Sequence, residues 1–130
     1  MIDEHYQIGE VADRVGLSLR TIRYYEEIGL VEPSGRTEGG FRLYTDSDVD
    51  RLRLVKALKP VGMSLETMGE LLEAADQVAE SDDRDRSEAE SRLEAVLTIA
   101  IHRCDQLEKR LAEARRALSE IAGSPAQRRR

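Results

Sequence analysis

Apolar residues recur along this chain in several distinct rhythms. Ile8, Val11, Ala12 and Val15 fall three and four apart, the spacing of one helix face, and Gly16 ends the run. Ser18 then offers a hydroxyl to the free N–H groups of a second helix, running from Leu19 to about Ile28, with Gly29 suited to end it. Two short helices around a tight glycine turn predict a helix-turn-helix. Next, the stretches Leu30-Val31-Glu32 and Phe41-Arg42-Leu43-Tyr44 flank Glu38-Gly39-Gly40, which predicts a hairpin with those stretches as its strands, a wing. Thr45 and Asp48 make a capping box with Asp where Glu is usual, opening a helix that buries Val49, Leu52 and Val55, with Leu58 near its end. After Pro60-Val61-Gly62, Ser64 caps another helix, with Leu65, Met68, Leu71 and Leu72 facing inward.

Beyond an acidic stretch at 76–86 the rhythm becomes a heptad. Leu97, Cys104, Leu111 and Leu118 hold one seam position; Leu93, Ala100, Leu107, Ala114 and Ile121 hold the other. None of the nine is charged. So narrow a stripe outside the main domain needs a partner helix, and burying it contributes about 1.5–3 kcal/mol for each large aliphatic side chain. The alternative is that it folds back on its own domain. The expected plan is a mainly α chain: a winged helix-turn-helix domain with two accessory helices over 1–75, an acidic linker over 76–86, a dimerisation helix over 87–122, and a disordered basic tail over 123–130.

Composition removes other classes. Five aromatic rings in 130 residues cannot fill a broad β-sandwich or barrel. The single cysteine, Cys104, excludes an intramolecular disulfide framework and a cysteine-clustered zinc site. No run approaches ~18 apolar residues, and the N-terminus lacks the regions of a signal peptide, so a cytoplasmic protein is expected. There is no Ser/His/Asp set, phosphate-cradling glycine loop or paired-carboxylate cleft to suggest an enzyme, and no cofactor or metal is expected. The net charge of −6 argues at first against nucleic acid. Its distribution argues less strongly. Residues 1–62 carry nine Lys/Arg against eleven Asp/Glu, residues 63–130 eleven against fifteen, and the Arg14–Tyr25 stretch holds three Arg and no acid.

Thr21-Ile22-Arg23-Tyr24-Tyr25-Glu26, Gly29-Leu30-Val31, Gly40-Phe41-Arg42-Leu43-Tyr44, Asp48 and Gly62-Met63-Ser64-Leu65 resemble the MerR family of bacterial transcription regulators, in unbroken order over roughly residues 6–75. The resemblance implies a winged helix-turn-helix and a long helix pairing antiparallel with its twofold mate. It implies a homodimer on a pseudo-palindromic promoter, an overlong spacer between polymerase recognition elements, and activation by bending and untwisting that DNA. Promoter DNA, a second copy and RNA polymerase are then the partners. It assigns Arg20, Arg23 and Tyr24 to the recognition helix, and Phe41, Arg42 and Tyr44 to the wing.

The residues agree. Arg20 and Arg23 are three apart and share a helix face that can enter a major groove, where Arg pairs with guanine O6 and N7 or with phosphate. Tyr24 carries a hydroxyl that can reach phosphate, and Ser18 and Thr21 sit at a helix N-terminus, which favours an anion. Arg14 adds to the basic stretch; Arg36 and Arg42 lie at the hairpin. Tyr25 reads as core, Tyr44 equally as core or contact, Glu26 as structural, and Arg51 and Arg53 as solvated or paired with Asp48 and Asp50.

No effector is legible. After Ile121 the nine remaining residues include no Cys, His, Asp or Glu, whereas family metal and oxidant sensors place cysteines there. Cys104 falls among Leu and Ala on the seam and reads as packing; His102, two residues away, points to another face. Two alternatives stand beside the promoter regulator: a constitutive repressor or architectural protein, and a coiled-coil module that heterodimerises.

Overall fold

Gly16 decides how the first two helices meet. The computed structural model describes residues 5–123. In it strand β1 (Tyr6–Gln7) runs into α1 (Ile8–Val15), and Gly16 follows in the left-handed region at φ 78°. Its N–H donates to the Ala12 carbonyl at 2.8 Å. Lys56 Nζ donates to the neighbouring Val15 carbonyl at 2.8 Å, so a third helix also secures the turn. Helix α2 (Leu19–Glu27) starts at Ser18, whose hydroxyl accepts from Thr21 N at 3.1 Å. Val11, Val15, Ile22 and Tyr25 close the two helices on a shared core.

The hairpin differs from the sequence expectation. Its strands are β2 (Gly35–Arg36) and β3 (Arg42–Tyr44), and β1 adds to the other edge of β3, giving the antiparallel order β1-β3-β2. Registers are Gly35 opposite Leu43 and Tyr6 opposite Tyr44. Leu30 and Val31, expected in a strand, are instead buried in the core directly after α2. Pro33 lies between them and the ladder. It has no N–H to donate, and the pairing begins only at Ser34, whose N–H reaches the Leu43 carbonyl at 2.8 Å.

Helix α3 (Asp46–Leu58) opens with both capping-box bonds, Thr45 N–H to Asp48 Oδ2 at 2.9 Å and Asp48 N–H to Thr45 Oγ1 at 3.3 Å. The same Asp48 oxygen accepts from Ser34 Oγ at 2.6 Å, tying the hairpin's approach to the helix start and satisfying a buried carboxylate. A 3-10 turn over Lys59–Val61 leads to Gly62 and then α4 (Leu65–Glu80), capped by Ser64.

The stretch expected as a linker over 76–86 is shorter here. Helix α4 continues to Glu80 because Leu71 and Ala74 are buried against the next element, and residues 81–85 make the connection. Helix α5 (Arg86–Gly123) has 38 residues, roughly 57 Å at 1.5 Å per residue. Leu71, Ala74 and Val96 form a small cluster with Leu93 at its margin, and Ala100 joins the main core. Two of the nine seam residues, Leu93 and Ala100, therefore pack within the protomer, because a five-residue connection brings α4 alongside first. Leu97, Leu111, Ala114, Leu118 and Ile121 are exposed; Cys104 and Leu107 are half-buried. Ile101, off the heptad seam, is 56% exposed beside Leu97 and Cys104. Among the described residues no helix is long and apolar enough to cross a membrane. The expected basic tail lies, apart from Gly123, outside the described residues.

Candidate nucleic-acid interface

Helix α2 is anchored by Ile22 and Tyr25, which are buried, so the positions between them face outward. Arg20 and Arg23 are exposed, and neither has a hydrogen bond or ion pair among the described residues. Tyr24 is 47% exposed, its ring tilted 48° to that of Tyr25. The first turn holds no acid. Arg20 and Arg23, three apart, stand exposed with Tyr24 on the outside of α2 and give it an open, cationic and aromatic surface.

Other predicted contact residues have partners inside the molecule. Arg14 lies over the Tyr6 ring at 4.1 Å and donates to Glu10 at 3.1 Å, a bond that raises its pKa above the ordinary guanidinium value. Ser18 and Thr21 bond to one another, Oγ to Oγ1 at 2.8 Å, at the helix cap. Arg36 donates to the Gly40 carbonyl at 3.2 Å.

The wing loop closes through Thr37. Its N–H meets the Phe41 carbonyl at 2.9 Å, and its hydroxyl accepts from Phe41 N at 3.1 Å. Phe41 stands 63% exposed beside this turn. Tyr44, expected among the contacts, is instead fully buried in the main core, and its hydroxyl donates to Glu26 Oε2 at 2.8 Å. Burial, then that bond to a carboxylate, pushes the phenol well above its usual range.

Glu26, at the end of α2, also accepts from Arg42 Nε at 2.7 Å on its other oxygen, with Arg36 at 3.9 Å. Burial alone would raise the Glu26 pKa. The hydrogen bonds from Arg42 and Tyr44 outweigh it and hold the carboxyl below the usual carboxylate range. No periodic signal in sequence marks this carboxylate, because its partners are 16 and 18 residues away. Arg51 bonds Asp76 at 2.6 Å rather than Asp48 or Asp50, while Arg53 pairs with Asp50 at 3.6 Å.

Comparisons with known proteins converge on one description. The family model for the MerR HTH family regulatory protein matches residues 6–75. The heavy metal-dependent transcription regulator 2 of Rhizobium meliloti (strain 1021) is 40% identical over 119 residues, covering 89% of this chain and 74% of that one. ZntR, an HTH-type transcriptional regulator of Escherichia coli (strain K12), is 49% identical over 67 residues, 52% of this chain and 48% of that one, so the match spans about half of its length. Among solved structures, HiNmlR, a MerR family regulator lacking the sensor domain and bound to promoter DNA, aligns with a TM-score of 0.66 at 29% identity, over 89% of this chain and 80% of that chain.

Proposed function

The chain belongs to the MerR family of HTH regulatory proteins, and from that premise we propose that it acts as a homodimer on a pseudo-palindromic promoter site, distorting the DNA to control transcription by RNA polymerase. The observation that carries this reading is the outward face of α2. Arg20 and Arg23 stand exposed, without a partner among the described residues, on a helix whose opposite face is fixed in the core. An unpaired arginine pair on an anchored helix suits the major groove, where its forks meet guanine edges or phosphate. Phe41 and the hairpin beside it suit the adjoining backbone or minor groove.

The exposed apolar residues of α5 support the dimer. Leu97, Ile101, Leu111, Leu118 and Ile121 are each between 37% and 66% exposed along one protomer, and a twofold mate would cover them. Antiparallel pairing places the two recognition helices at opposite ends of the assembly, and a twofold protein reads a near-palindromic site.

The test is selection of duplexes from a random pool by the purified protein, with native mass measured in parallel. Two inverted half-sites recovered with a dimeric mass support the reading. A monomeric mass, or no duplex enriched over background, overturns it. Mapping bound sites across the genome then measures the spacer between polymerase elements: an overlong spacer supports activation by distortion, and an ordinary one favours simple occlusion.

A further inference from the structure

Arg42 and Tyr44 are two apart on β3 and so emerge on the same face of the sheet. Both reach the one carboxylate of Glu26, which belongs to a different element, α2. Each Glu26 oxygen takes one strong bond, and its side chain is only 15% exposed. Recognition helix and wing are thus fastened by a single clasp.

The clasp uses Arg42 in a specific way. Only its Nε is engaged, at 2.7 Å, and neither terminal nitrogen has a partner among the described residues. A guanidinium is a rigid plane with five N–H donors. Fixing the Nε edge on Glu26 sets that plane and leaves the fork formed by the two Nη groups open. The side chain is 34% exposed, so the fork has access to solvent. Arg36 and Arg42 balance Glu26 and Glu27, whose charge also acts on Arg42, so the carboxylates do not turn the patch anionic.

We infer that Glu26 is a positioning residue for DNA binding: it holds Arg42 by Nε so that the Nη fork meets a backbone phosphate, and it locks the wing to the recognition helix. Arg42 then bridges carboxylate and phosphate, with its rotamer freedom already lost before DNA arrives. This rests on the promoter-binding reading above. The rival is that Glu26 sequesters Arg42 from DNA, and the two differ in sign.

The experiment measures affinity across a salt series for a duplex selected by the wild-type protein, using full-length Glu26→Ala, Glu26→Gln, Arg42→Ala, Arg42→Lys and the Glu26→Ala/Arg42→Ala double variant. Helicity and thermal midpoint are recorded for each. Glu26→Ala and Arg42→Ala should each lose about tenfold in affinity, with the salt slope reduced by about one, and the double variant should be no worse than either. Glu26→Gln keeps an oxygen acceptor and should recover most of the loss. Arg42→Lys keeps the charge and leaves the Tyr44 bond in place. A compact ammonium cannot supply the planar bridge, so this variant should still lose about fivefold. Tighter binding by Glu26→Ala, multiplying losses in the double variant, or wild-type affinity in Arg42→Lys would each overturn the inference. If Glu26→Ala does not fold, the Arg42→Lys result decides alone. Failure of the wild-type protein to select any duplex would instead bring down the promoter reading and this inference with it.

Discussion

Four arginines of the same type sit in two contrasting states. Arg20 and Arg23 on α2 are free of partners among the described residues, whereas Arg36 and Arg42 on the hairpin are held, one by Gly40 and the other by Glu26. A free arginine can adjust to whichever base edge it meets, but it loses rotamer freedom on doing so. A held arginine has lost that freedom already and suits a target whose position hardly varies with sequence. Phosphates are such targets, and bases are not. On the proposed promoter-binding reading, the difference would give reading to the helix and gripping to the wing without appeal to charge, which is equal in the two pairs.

Five substitutions probe that contrast. The largest effect should come from Leu111→Asp, which places a charge on the exposed apolar stripe of α5. It should convert the protein to a monomer in sedimentation and weaken specific binding by more than ~100-fold, because both the helix and wing of the second protomer are lost together. A dimer surviving this change would show that α5 does not pair there. Next come Arg20→Ala and Arg23→Ala, each costing roughly 1–3 kcal/mol on the preferred site and altering the sequence recovered by selection. An unaltered preference in both variants would place these arginines on phosphate and erase the contrast. Arg42→Ala should weaken binding to all duplexes by a similar factor, read by comparing specific with scrambled DNA. A loss confined to the specific duplex would make the wing a reader too.

The smallest effect on DNA recognition should come from Tyr44→Phe, which removes one of the two bonds on Glu26. It should lower stability by about 1–3 kcal/mol in denaturant unfolding while leaving the selected sequence unchanged. The clasp also has a pH signature. Glu26 titrates below its ordinary value in the folded protein, so its contribution is complete above the unfolded value, about 4.3, and is lost as pH falls through the depressed native one. The stability difference between wild type and Glu26→Gln should therefore shrink on acidification; a constant difference would mean the carboxylate charge is not what holds the strand.

Much of this architecture was legible in the sequence because it is local. The Ser18 cap, the Thr45–Asp48 box and the core faces of α2, α3 and α4 are set by residues three or four apart. The same locality explains why the first hairpin strand lies at Gly35–Arg36 and not at Leu30–Glu32. An apolar pair such as Leu30-Val31 looks alike as strand or core plug, and Pro33 is what separates it from the ladder. Strand β1 has two residues, too few to show any period. The burial of Val96 has no signal in the heptad pattern, because it lies off the seam and its partners Leu71 and Ala74 sit on a different helix. On α2, the shared outward face of Arg20 and Arg23 is legible from their spacing of three. The burial of Tyr44 and its bond to Glu26 depend on packing between distant segments, which no short window encodes.

Helix α5 has a further consequence. Val96 and Ala100 are its only buried residues, and every described residue from Glu108 to Gly123 is exposed. Helical segments of this length are marginal in water without tertiary cover. The far half of α5 should therefore be ordered by mass action, its helicity rising as subunits associate. Protein concentration would then be a structural variable: dilution would shorten the helix, and circular dichroism across a dilution series would record the association constant directly.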